Sequence, residues 1–366
     1  MAGIYIHIPF CKKRCIYCDF FSSVSTGKRE AYIQTICKEL VRRKNYSEEK
    51  VETIYFGGGT PSLLSGNGFE AIFSTIRSNF ILAGKPEITL EANPDDLSSE
   101  YLKSIERLPF NRLSLGIQSL NDEDLSFLNR RHNAATAILS VKNAQKAGFE
   151  NISIDLIYGL PNQTVESWEE TLHQALELDI QHISAYHLIY EEGTKLYQLR
   201  EASRVQPVDE DLSLRLFEVL IDILGESGFE QYEISNFARP GFHSRHNSSY
   251  WEGKTYLGIG ASAHSFNGIS RSWNASRLDY LETGQETELI DTQTAYNEFI
   301  LTRLRTRRGI NPEELKALFG EEKQSSFLRK ASKYFQMEML EHGAGNFRLS
   351  RKGLFVSDGI MSDLMD

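Results

Sequence analysis

The first two-thirds of the chain alternate short apolar strands with amphipathic helices, and this alternation restricts the fold more than any other feature. Strands separated by helices form βαβ units, in which the strands lie parallel in one sheet and the helices cover its outer face. Six such repeats predict an α/β fold built on a partial (β/α)6 TIM-like barrel rather than a closed eight-stranded one. The predicted strands are 4–8, 53–59, 87–94, 112–119, 152–161 and 182–189, and the predicted helices are 28–45, 66–80, 98–107, 121–147, 164–178 and 209–229.

The pattern changes near residue 230. The segment 231–290 is rich in Gly, Ser, Asn, His and aromatic residues, which indicates loops with short strands. Helical patterns resume near 291 and end in a hairpin-like stretch with a last helix. We therefore predict a barrel domain over 1–230, a connecting segment over 231–290 and a small, mainly helical, winged-helix-like domain over 291–366.

Unusual residues gather at the ends of the predicted strands. Three cysteines follow the first strand, GGGTP the second, and EANP, GIQ and DLIYGLP end the next three. In barrels of this kind the carboxyl ends of the strands meet at one rim, where the active site forms. The pattern therefore predicts one functional site at that rim.

Cys11, Cys15 and Cys18 form a C-x3-C-x2-C pattern that points to an iron–sulfur cluster. A zinc finger needs paired cysteines with partners further along the chain. Three thiolates instead suit a [4Fe–4S] cluster whose fourth iron has no protein ligand and stays open for chemistry. Two alternatives remain: three unrelated cysteines, and a zinc site completed by His7. Cys37 lies on the apolar side of a helical pattern, which favours a core thiol.

Three motifs together, CKKRCIYCDF, GGGTP and DLIYGLP, resemble the radical S-adenosylmethionine superfamily. Within it, YIHIPFC and the two cysteines that follow are similar to the oxygen-independent coproporphyrinogen III oxidases and their relatives, the HemW-type haem chaperones. The resemblance covers nearly the whole chain. It implies that the open iron binds the amino and carboxylate groups of S-adenosylmethionine, and that an electron from the reduced cluster cleaves the sulfonium to a 5′-deoxyadenosyl radical.

The residues at the ends of strands two to five suit such a cofactor. Gly57, Gly58 and Gly59 allow the backbone to approach a ligand closely, although a glycine triplet alone more often marks a turn. Glu91 and Asp155 interrupt apolar strands, where an unpaired charge is costly, so a buried carboxylate there needs a partner. By resemblance to the superfamily, the residues that contact S-adenosylmethionine are Tyr5, Tyr17, Gly58, Gly59, Thr60, Glu91, Gln118, Arg130 and Asp155.

Two of the implied contacts depend on where Arg130 and Ile189 lie in the fold. Arg130 is predicted in the helix after strand four, where its guanidinium would bond the cofactor carboxylate, and an exposed helix arginine is the ordinary alternative. Ile189, at the sixth strand, corresponds by a looser alignment to a backbone contact beside the adenine.

Two features distinguish this chain from the oxidases. The oxidases have an additional cysteine two places after the third, and this chain has Phe20 there. They also have a long N-terminal extension, whereas Tyr5 lies four residues from the start of this chain. Both differences favour the chaperones.

A six-residue match favours haem as the ligand. HNSSYW, from His246 to Trp251, matches the HNxxYW element of the HemW group. Histidine is a common axial haem ligand, and Tyr250 and Trp251 offer flat apolar faces to a porphyrin. We therefore assign His246, Tyr250 and Trp251 to haem. A loop histidine beside core aromatics is the alternative, and His243 and His264 are further candidate ligands.

The C-terminal part suggests a third class of function, nucleic-acid binding. A basic cluster in a winged-helix-like context could contact nucleic-acid phosphate, but the segment NPEELKALFGEE, where a recognition helix would lie, is acidic. A net charge of −10 also argues against general affinity for nucleic acid. A lid or interaction domain is the better interpretation. The cluster consists of Arg303, Arg305, Arg307 and Arg308.

Composition indicates a cytoplasmic protein. Charged residues make up 25% and hydrophobic residues 40% of the chain, no apolar run is as long as a membrane span, and the N-terminus lacks a signal-type pattern. In a reducing compartment the cysteines are expected as metal ligands or core residues.

Taken together, the sequence predicts a haem chaperone with a [4Fe–4S] cluster and S-adenosylmethionine. Its expected partners are haem and acceptor haemoproteins, with respiratory proteins at the membrane, a peripheral membrane location and a homodimer left open. No nucleic acid is expected. The alternative is an oxygen-independent coproporphyrinogen III oxidase, which decarboxylates propionates by radical chemistry. Whether the chain turns over a substrate stays open.

Overall fold

The computed structural model describes residues 3–366 and contains the predicted barrel. Six parallel strands form its centre, with the helices packed on their outer face, so the predicted α/β fold class is confirmed. The strands are β1 Gly3–Ile8, β2 Val51–Gly58, β3 Leu82–Ala92, β4 Arg112–Gln118, β5 Ile152–Tyr158 and β6 His182–His187. The helices are α1 Arg29–Arg42, α2 Gly66–Asn79, α3 Ser99–Ile105, α4 Asp122–Phe127, α5 Ala134–Lys146, α6 Val165–Leu176, α7 Lys195–Glu201 and α8 Glu210–Glu226.

The barrel strands have one apolar and one polar face, because side chains alternate along a strand. In β1, Ile4, Ile6 and Ile8 are fully buried in the main hydrophobic core. Burial of one such side chain stabilises the fold by about 1.5–3 kcal/mol. The alternate residues, Tyr5 and His7, lie on the other face of the strand. The polar side chains of the barrel interior are therefore held in place by an apolar outer layer.

One helix prediction was wrong. The segment 121–147 forms two helices, α4 and α5, because Asn121 and Asn133 each accept hydrogen bonds from backbone N–H groups at a helix start. Asn129 lies between them with φ = 61°, which ends the first helix. Arg130 consequently lies in the turn between α4 and α5, not in a helix. The amphipathic pattern continues through both helices and hides the break.

The segment after residue 230 extends the sheet at both ends. The hairpin β7–β8 adds to β6, and β9 pairs in parallel with β1 and begins an antiparallel extension, giving a twelve-stranded sheet. The elements are β7 Glu230–Glu233, β8 Asn236–Ala238, α9 Arg245–Trp251, β9 Tyr256–Ile259, β10 His264–Phe266, β11 Ser270–Asn274 and β12 Gln285–Leu289. The predicted domain boundaries at 230 and 290 stay a prediction.

The C-terminal part has its own hydrophobic core, which includes Tyr296, Leu315 and Phe327. The longest helix there has a kink at Gly320, where φ is 87°. Within residues 3–366, no helix combines the length and the apolar character that crossing a membrane requires. The elements are α10 Thr292–Leu304, α11 Pro312–Gln336, β13 Leu340–Gly343, β14 Asn346–Leu349, α12 Arg351–Leu354 and α13 Ser357–Leu364.

Candidate functional site

The cysteine loop follows β1 at the carboxyl rim of the barrel, as predicted. Its backbone is fixed at three points: Cys11 N–H donates to the Ser23 carbonyl (3.0 Å), Ile16 N–H to that of Leu128 (3.4 Å), and Leu196 N–H to that of Ile16 (2.8 Å). The cysteines of the loop are partly buried free thiols. The loop is therefore positioned by α4 and α7 as well as by its own strand.

Two donors contact the sulfur atoms. Thr60 Oγ1 lies 3.5 Å from Cys11 Sγ, and Arg130 Nη1 lies 3.2 Å from Cys15 Sγ. Such hydrogen bonds favour the thiolate and tune a bound cluster. Burial raises the pKa of Cys18 to about 11, so a thiolate there needs a cation to stabilise it.

The three cysteine side chains are the donor type that suits an iron–sulfur cluster. Between residues 3 and 366, no three His, Cys, Asp or Glu side chains lie close enough to hold one metal ion. A cluster spaces its ligands more widely, because each thiolate binds a different iron. Soft thiolates are the ligands that iron–sulfur clusters select. The cluster assignment of Cys11, Cys15 and Cys18 stays a prediction.

Arg130 joins the cysteine loop to the barrel rim. Its Nη1 atom also lies 3.4 Å from the Tyr17 hydroxyl, and its Nη2 atom donates to Asn93 Oδ1 (2.7 Å) and to the Gly116 carbonyl. Asn93 in turn donates to Thr60 Oγ1 at 3.2 Å. Asn93 was not among the predicted residues, although its motif, EANP, was singled out for Glu91.

Glu91 accepts two hydrogen bonds at the end of β3. The Tyr55 hydroxyl donates to one carboxylate oxygen (2.7 Å) and the Gly58 N–H donates to the other (3.1 Å). Burial raises the pKa of Glu91 to about 7, so this carboxyl titrates near neutral pH. Tyr55 was not predicted because a tyrosine in an apolar strand gives no signal of its own.

The glycine triplet allows the backbone at the end of β2 to pack closely against its neighbours at this rim. Gly58 has φ = 108°, a conformation that favours glycine. A Cβ atom at Gly57 would lie 3.1 Å from the Glu91 carboxyl carbon, and one at Gly59 would lie 2.8 Å from the backbone carbon of Pro9. The end of β2 is therefore pressed against both the carboxylate and the start of the cysteine loop.

Asp155 and Gln118 occupy the neighbouring strands. Burial raises the pKa of Asp155 to about 6, and the Arg112 charge partly opposes this rise. Ser114 Oγ lies 3.5 Å from the Asp155 carboxylate. Gln118 ends β4 with φ = 73°. Arg112 is 1% exposed and was missed, because it begins a strand where a charged residue is ordinarily at the surface.

Two other predicted cofactor residues differ in exposure. Tyr5 faces the barrel interior, where its hydroxyl lies 3.1 Å from His7 Nδ1 and its ring stacks on Tyr55. Ile189 is 62% exposed beyond the end of β6. The structure thus places Gly58, Glu91 and Gln118 at or near the ends of their strands, Tyr5 and Asp155 further inside the barrel, and Ile189 at its exposed side.

The HNxxYW element is a helix, α9, which closes the amino end of the barrel. The Glu87 carboxylate accepts the backbone N–H groups of Arg245 and His246 (3.0 and 2.9 Å) and so caps the helix. A Cβ atom at Gly3 would lie 2.8 Å from His246 Nδ1, so α9 packs tightly on the first residue of β1. Tyr55 connects this helix to the rim, because its ring stacks on His246 with 4.9 Å between centroids and its hydroxyl donates to Glu91.

His246 is 1% exposed and both of its ring nitrogens are in hydrogen bonds. Nδ1 bonds with Thr53 Oγ1 at 2.7 Å, and Nε2 bonds with the Tyr250 hydroxyl at 2.8 Å. Burial lowers the pKa of His246 to about 3, which keeps the ring neutral. The alternative of a loop histidine beside core aromatics is wrong about the loop, because the residue lies on a helix, but the ring does lie against Tyr55 and Tyr250. Its ring contacts the barrel interior.

Tyr250 and Trp251 line a cavity of about 1010 Å³. This volume is at the upper end of the roughly 300–1,000 Å³ of small-molecule sites. Phe20, 61% exposed, lies on its wall. The cavity lies between the cysteine loop, the sheet extension and the C-terminal helices. Further lining residues include Tyr5, His7, Phe21, Lys254, Tyr256, His264, Phe266, Arg271, Phe299, Arg303, Leu318 and Phe319.

The other two candidate histidines differ in whether they line the cavity. His243 stacks on Tyr232 with 4.3 Å between ring centroids and lies 3.5 Å from the Glu230 carboxylate, outside the cavity lining. His264 lines the cavity. Cys37 packs against the main core, in agreement with its interpretation as a core thiol.

Comparison with known proteins identifies the superfamily and the fold of the chain. Residues 5–175 match the radical SAM superfamily, and residues 290–356 match the HemN C-terminal domain. The solved structure of coproporphyrinogen III oxidase (HemN) from Escherichia coli, a radical SAM enzyme, superposes with a TM-score of 0.85 at 22% identity, covering 100% of this chain and 90% of that one. The chain is therefore a radical SAM protein with the fold of HemN.

Two relatives define its family more narrowly. Heme chaperone HemW of Lactococcus lactis is 33% identical over 368 residues, which cover 99% of this chain and 96% of that protein. Heme chaperone HemW of Bacillus subtilis is 34% identical over 335 residues, 87% of each chain. The chain belongs to the HemW family, and the family recognised from the sequence motifs is confirmed.

Proposed function

We propose that this protein is a haem chaperone, which binds haem in the cavity beside the cysteine loop and delivers it to acceptor haemoproteins. The observation that carries the proposal is the cavity itself. It is large, lined by aromatic side chains, and adjacent to the predicted cluster site. The names of the relatives in the HemW family support the same function.

The chemistry of the cavity lining suits a porphyrin. Aromatic faces pack against a flat apolar macrocycle, and cations pair with its propionates. Tyr250 and Trp251 supply such faces, and Arg271 and Lys254 supply positive charge at the same surface. His246, the third predicted haem residue, bonds the Tyr250 hydroxyl and so fixes the direction of that ring.

The barrel rim is proposed to hold the cluster and S-adenosylmethionine. When bound, the two together supply one-electron chemistry at the sulfonium. Cys11, Cys15 and Cys18 would provide three thiolates, and Arg130 a positive charge beside them. The remaining proposed contacts for S-adenosylmethionine are Tyr5, Tyr17, Gly58, Gly59, Thr60, Glu91, Gln118 and Asp155.

Phe20 supports a chaperone over a coproporphyrinogen oxidase. It occupies the place where the oxidases carry another cysteine, and it faces the cavity instead of supplying a thiol. We propose that delivery takes place in the cytoplasm, with respiratory haemoproteins at the membrane surface among the acceptors. A homodimer is part of the same proposal.

The test compares haem binding with oxidase activity. Protein with an anaerobically reconstituted cluster is titrated with haem and assayed in parallel for coproporphyrinogen III conversion. We expect a stable haem spectrum without turnover, and a marked loss of haem affinity in Tyr250→Ala/Trp251→Ala. Tyr334→Ala, outside the cavity lining, is the matched control. Turnover without a stable haem complex would instead establish an oxidase.

A further inference from the structure

We infer that Arg112, the first residue of β4, is a positioning residue for S-adenosylmethionine: it supplies the buried positive charge that keeps Glu91 and Asp155 anionic without occupying their oxygens. This role rests on the proposed function, since both carboxylates are among the proposed contacts for the cofactor. It follows from three observations: the burial of Arg112, its place in the barrel and its lack of direct partners.

Arg112 lies inside the barrel. Leu113, Leu115 and Ile117 of β4 belong to the main hydrophobic core, so the alternate residues of that strand face the barrel interior. The Arg112 side chain is 1% exposed. A charged side chain is rarely buried to this degree, because the loss of its hydration costs several kcal/mol. The barrel interior must therefore supply negative charge that compensates for this cost.

The strand register places Arg112 below the two carboxylates. Arg112 pairs with Thr89 of β3, and Glu91 lies two residues further along β3, where it pairs with Ser114. The Asp155 carboxylate on β5 lies 3.5 Å from Ser114 Oγ. Two residues span only about 7 Å along a strand, and an arginine side chain is long enough to bring its charge close to both acids. Charges at such distances interact strongly in a low-dielectric interior.

The guanidinium does not bind either carboxylate directly. Its Nε and Nη1 atoms are buried without a hydrogen-bond partner among residues 3–366, and no carboxylate in that part of the chain forms an ion pair with it. The Glu91 oxygens accept from Tyr55 and Gly58 instead. A direct bidentate pair would occupy both oxygens of a carboxylate. From a distance, the charge favours the anions and leaves lone pairs for a ligand.

The charge of Arg112 opposes the effect of burial on both acids. Burial raises the pKa of Glu91 to about 7 and that of Asp155 to about 6, and the Arg112 charge lowers both. Without Arg112, both carboxyls would hold their protons at neutral pH. S-adenosylmethionine has a sulfonium and an ammonium group, so it binds two carboxylates better than two neutral acids.

Other groups that face the two acids do not replace this charge. Arg130 also lowers the pKa of Asp155, but its guanidinium is bonded to the cysteine loop and to Asn93. Arg112 is the cation that both acids have in common. The remaining titratable groups are buried and neutral: Tyr5, Tyr55, Tyr186 and Tyr250 around the acids, and His182, Tyr232 and His246 around Arg112.

The experiment measures the affinity for S-adenosylmethionine as a function of pH. Wild type, Arg112→Met, Arg112→Lys and the control Arg43→Met are loaded with the cluster and titrated by equilibrium dialysis over a range that spans the pKa values of both acids. No reductant is added, so the sulfonium is not cleaved. Arg43 is a mostly buried arginine of the outer layer, directly after α1, and its Nη1 atom lies 3.5 Å from Glu39.

A second readout needs neither cluster nor cofactor. Urea unfolding of the cluster-free proteins is followed over the same pH range, and circular dichroism checks that each variant is folded. An acid whose folded-state pKa is raised contributes stability at low pH, and this contribution is lost as pH rises through that pKa. Because Arg112→Met raises the folded-state pKa values further, its loss of stability should extend to higher pH than in wild type.

If Arg112 has this role, Arg112→Met binds S-adenosylmethionine about tenfold more weakly at neutral pH and regains affinity as pH rises, since one pKa unit is a factor of ten in proton binding. Arg112→Lys, which keeps the charge, retains most of the wild-type affinity and pH profile. Arg43→Met keeps the full wild-type profile.

A wild-type pH profile in Arg112→Met, or tighter binding at every pH because a repulsive cation is gone, would overturn the role of Arg112 and leave the proposed function standing. Absence of cofactor binding in wild type would overturn the proposed cofactor, and the unfolding curves would then decide on the charge effect alone. If Arg112→Met does not fold, Arg112→Met/Asp155→Asn should fold, because it removes cation and anion together. Failure of this double variant to fold would also overturn the role.

Discussion

The barrel rim and the haem cavity differ in how their residues are recruited along the chain. At the rim, β2, β3 and β4 contribute residues at or near their carboxyl ends, and Arg130 links the cysteine loop to Asn93 and Gly116. The cavity instead combines the cysteine loop with residues 250–271 and two C-terminal helices. A site built on a regular βα repeat can be predicted from motifs, whereas one assembled from distant segments requires the fold.

The largest effect is expected from the cysteine loop. Cys15→Ala should abolish the cluster, because it removes one thiolate and leaves Arg130 without its sulfur partner. Iron content and cluster absorbance after anaerobic reconstitution measure the effect. Cys37→Ala, which changes a cysteine in the main core, is the control and should retain the cluster. Equal cluster content in the two variants would refute the assignment of the rim.

The next effect concerns α9, the helix at the amino end of the barrel. His246→Ala should lower the free energy of unfolding by about 2–5 kcal/mol, because it removes two buried hydrogen bonds and opens a small void. Urea unfolding of the haem-free protein measures it. His246→Gln, which can keep one of the bonds, should lose less. A change below about 0.5 kcal/mol in both variants, the range of ordinary surface substitutions, would show that α9 is not held by this ring.

The two ends of the barrel should respond to pH with opposite signs. The folded-state pKa of Glu91 is raised from 4.5 to about 7, so the folded protein binds this proton more tightly. Its contribution to stability is present below pH 4.5 and is lost as pH rises towards 7. The folded-state pKa of His246 is lowered from 6.5 to about 3, so its contribution is present above pH 6.5 and is lost as pH falls towards 3.

Urea unfolding at several pH values tests this contrast. Each group changes the free energy of unfolding by at most about 1.4 kcal/mol per pH unit within its window. Relative to wild type, Glu91→Gln should gain stability as pH rises from 4.5 to 7, and His246→Gln should gain as pH falls from 6.5 to 3. Parallel curves for wild type and both variants would contradict the titration of these two groups.

The smallest effect on stability is expected at Phe20, which is 61% exposed. Phe20→Ala should change the free energy of unfolding by no more than about 0.5 kcal/mol, as is usual for surface positions. It should nevertheless weaken haem binding, because the ring lies on the cavity wall. Isothermal titration with haem measures the loss, and Val24→Ala, also exposed, serves as control. If Phe20→Ala binds haem with the same affinity as wild type, the cysteine loop is not part of the haem site.

The sequence predicted the barrel and the position of the cysteine loop because both follow from local periodicity and spacing. It misplaced Arg130, because asparagine caps break a helix without interrupting its amphipathic pattern. It gave no signal for Arg112, whose burial depends on the packing of the opposite strands. The orientation of His246 could not be predicted either, since its partners Thr53 and Tyr250 are brought together by the fold.

Strand β1 has a further consequence for how the two sites communicate. It forms hydrogen-bonded ladders with β2 on one side and β9 on the other. A strand paired on both sides cannot slide without breaking both ladders, so it acts as a rigid spacer between the cysteine loop and the sheet wall of the cavity. Entry and exit of a large ligand are therefore expected to depend on the opposite wall, where α10 and α11 belong to a separate hydrophobic core.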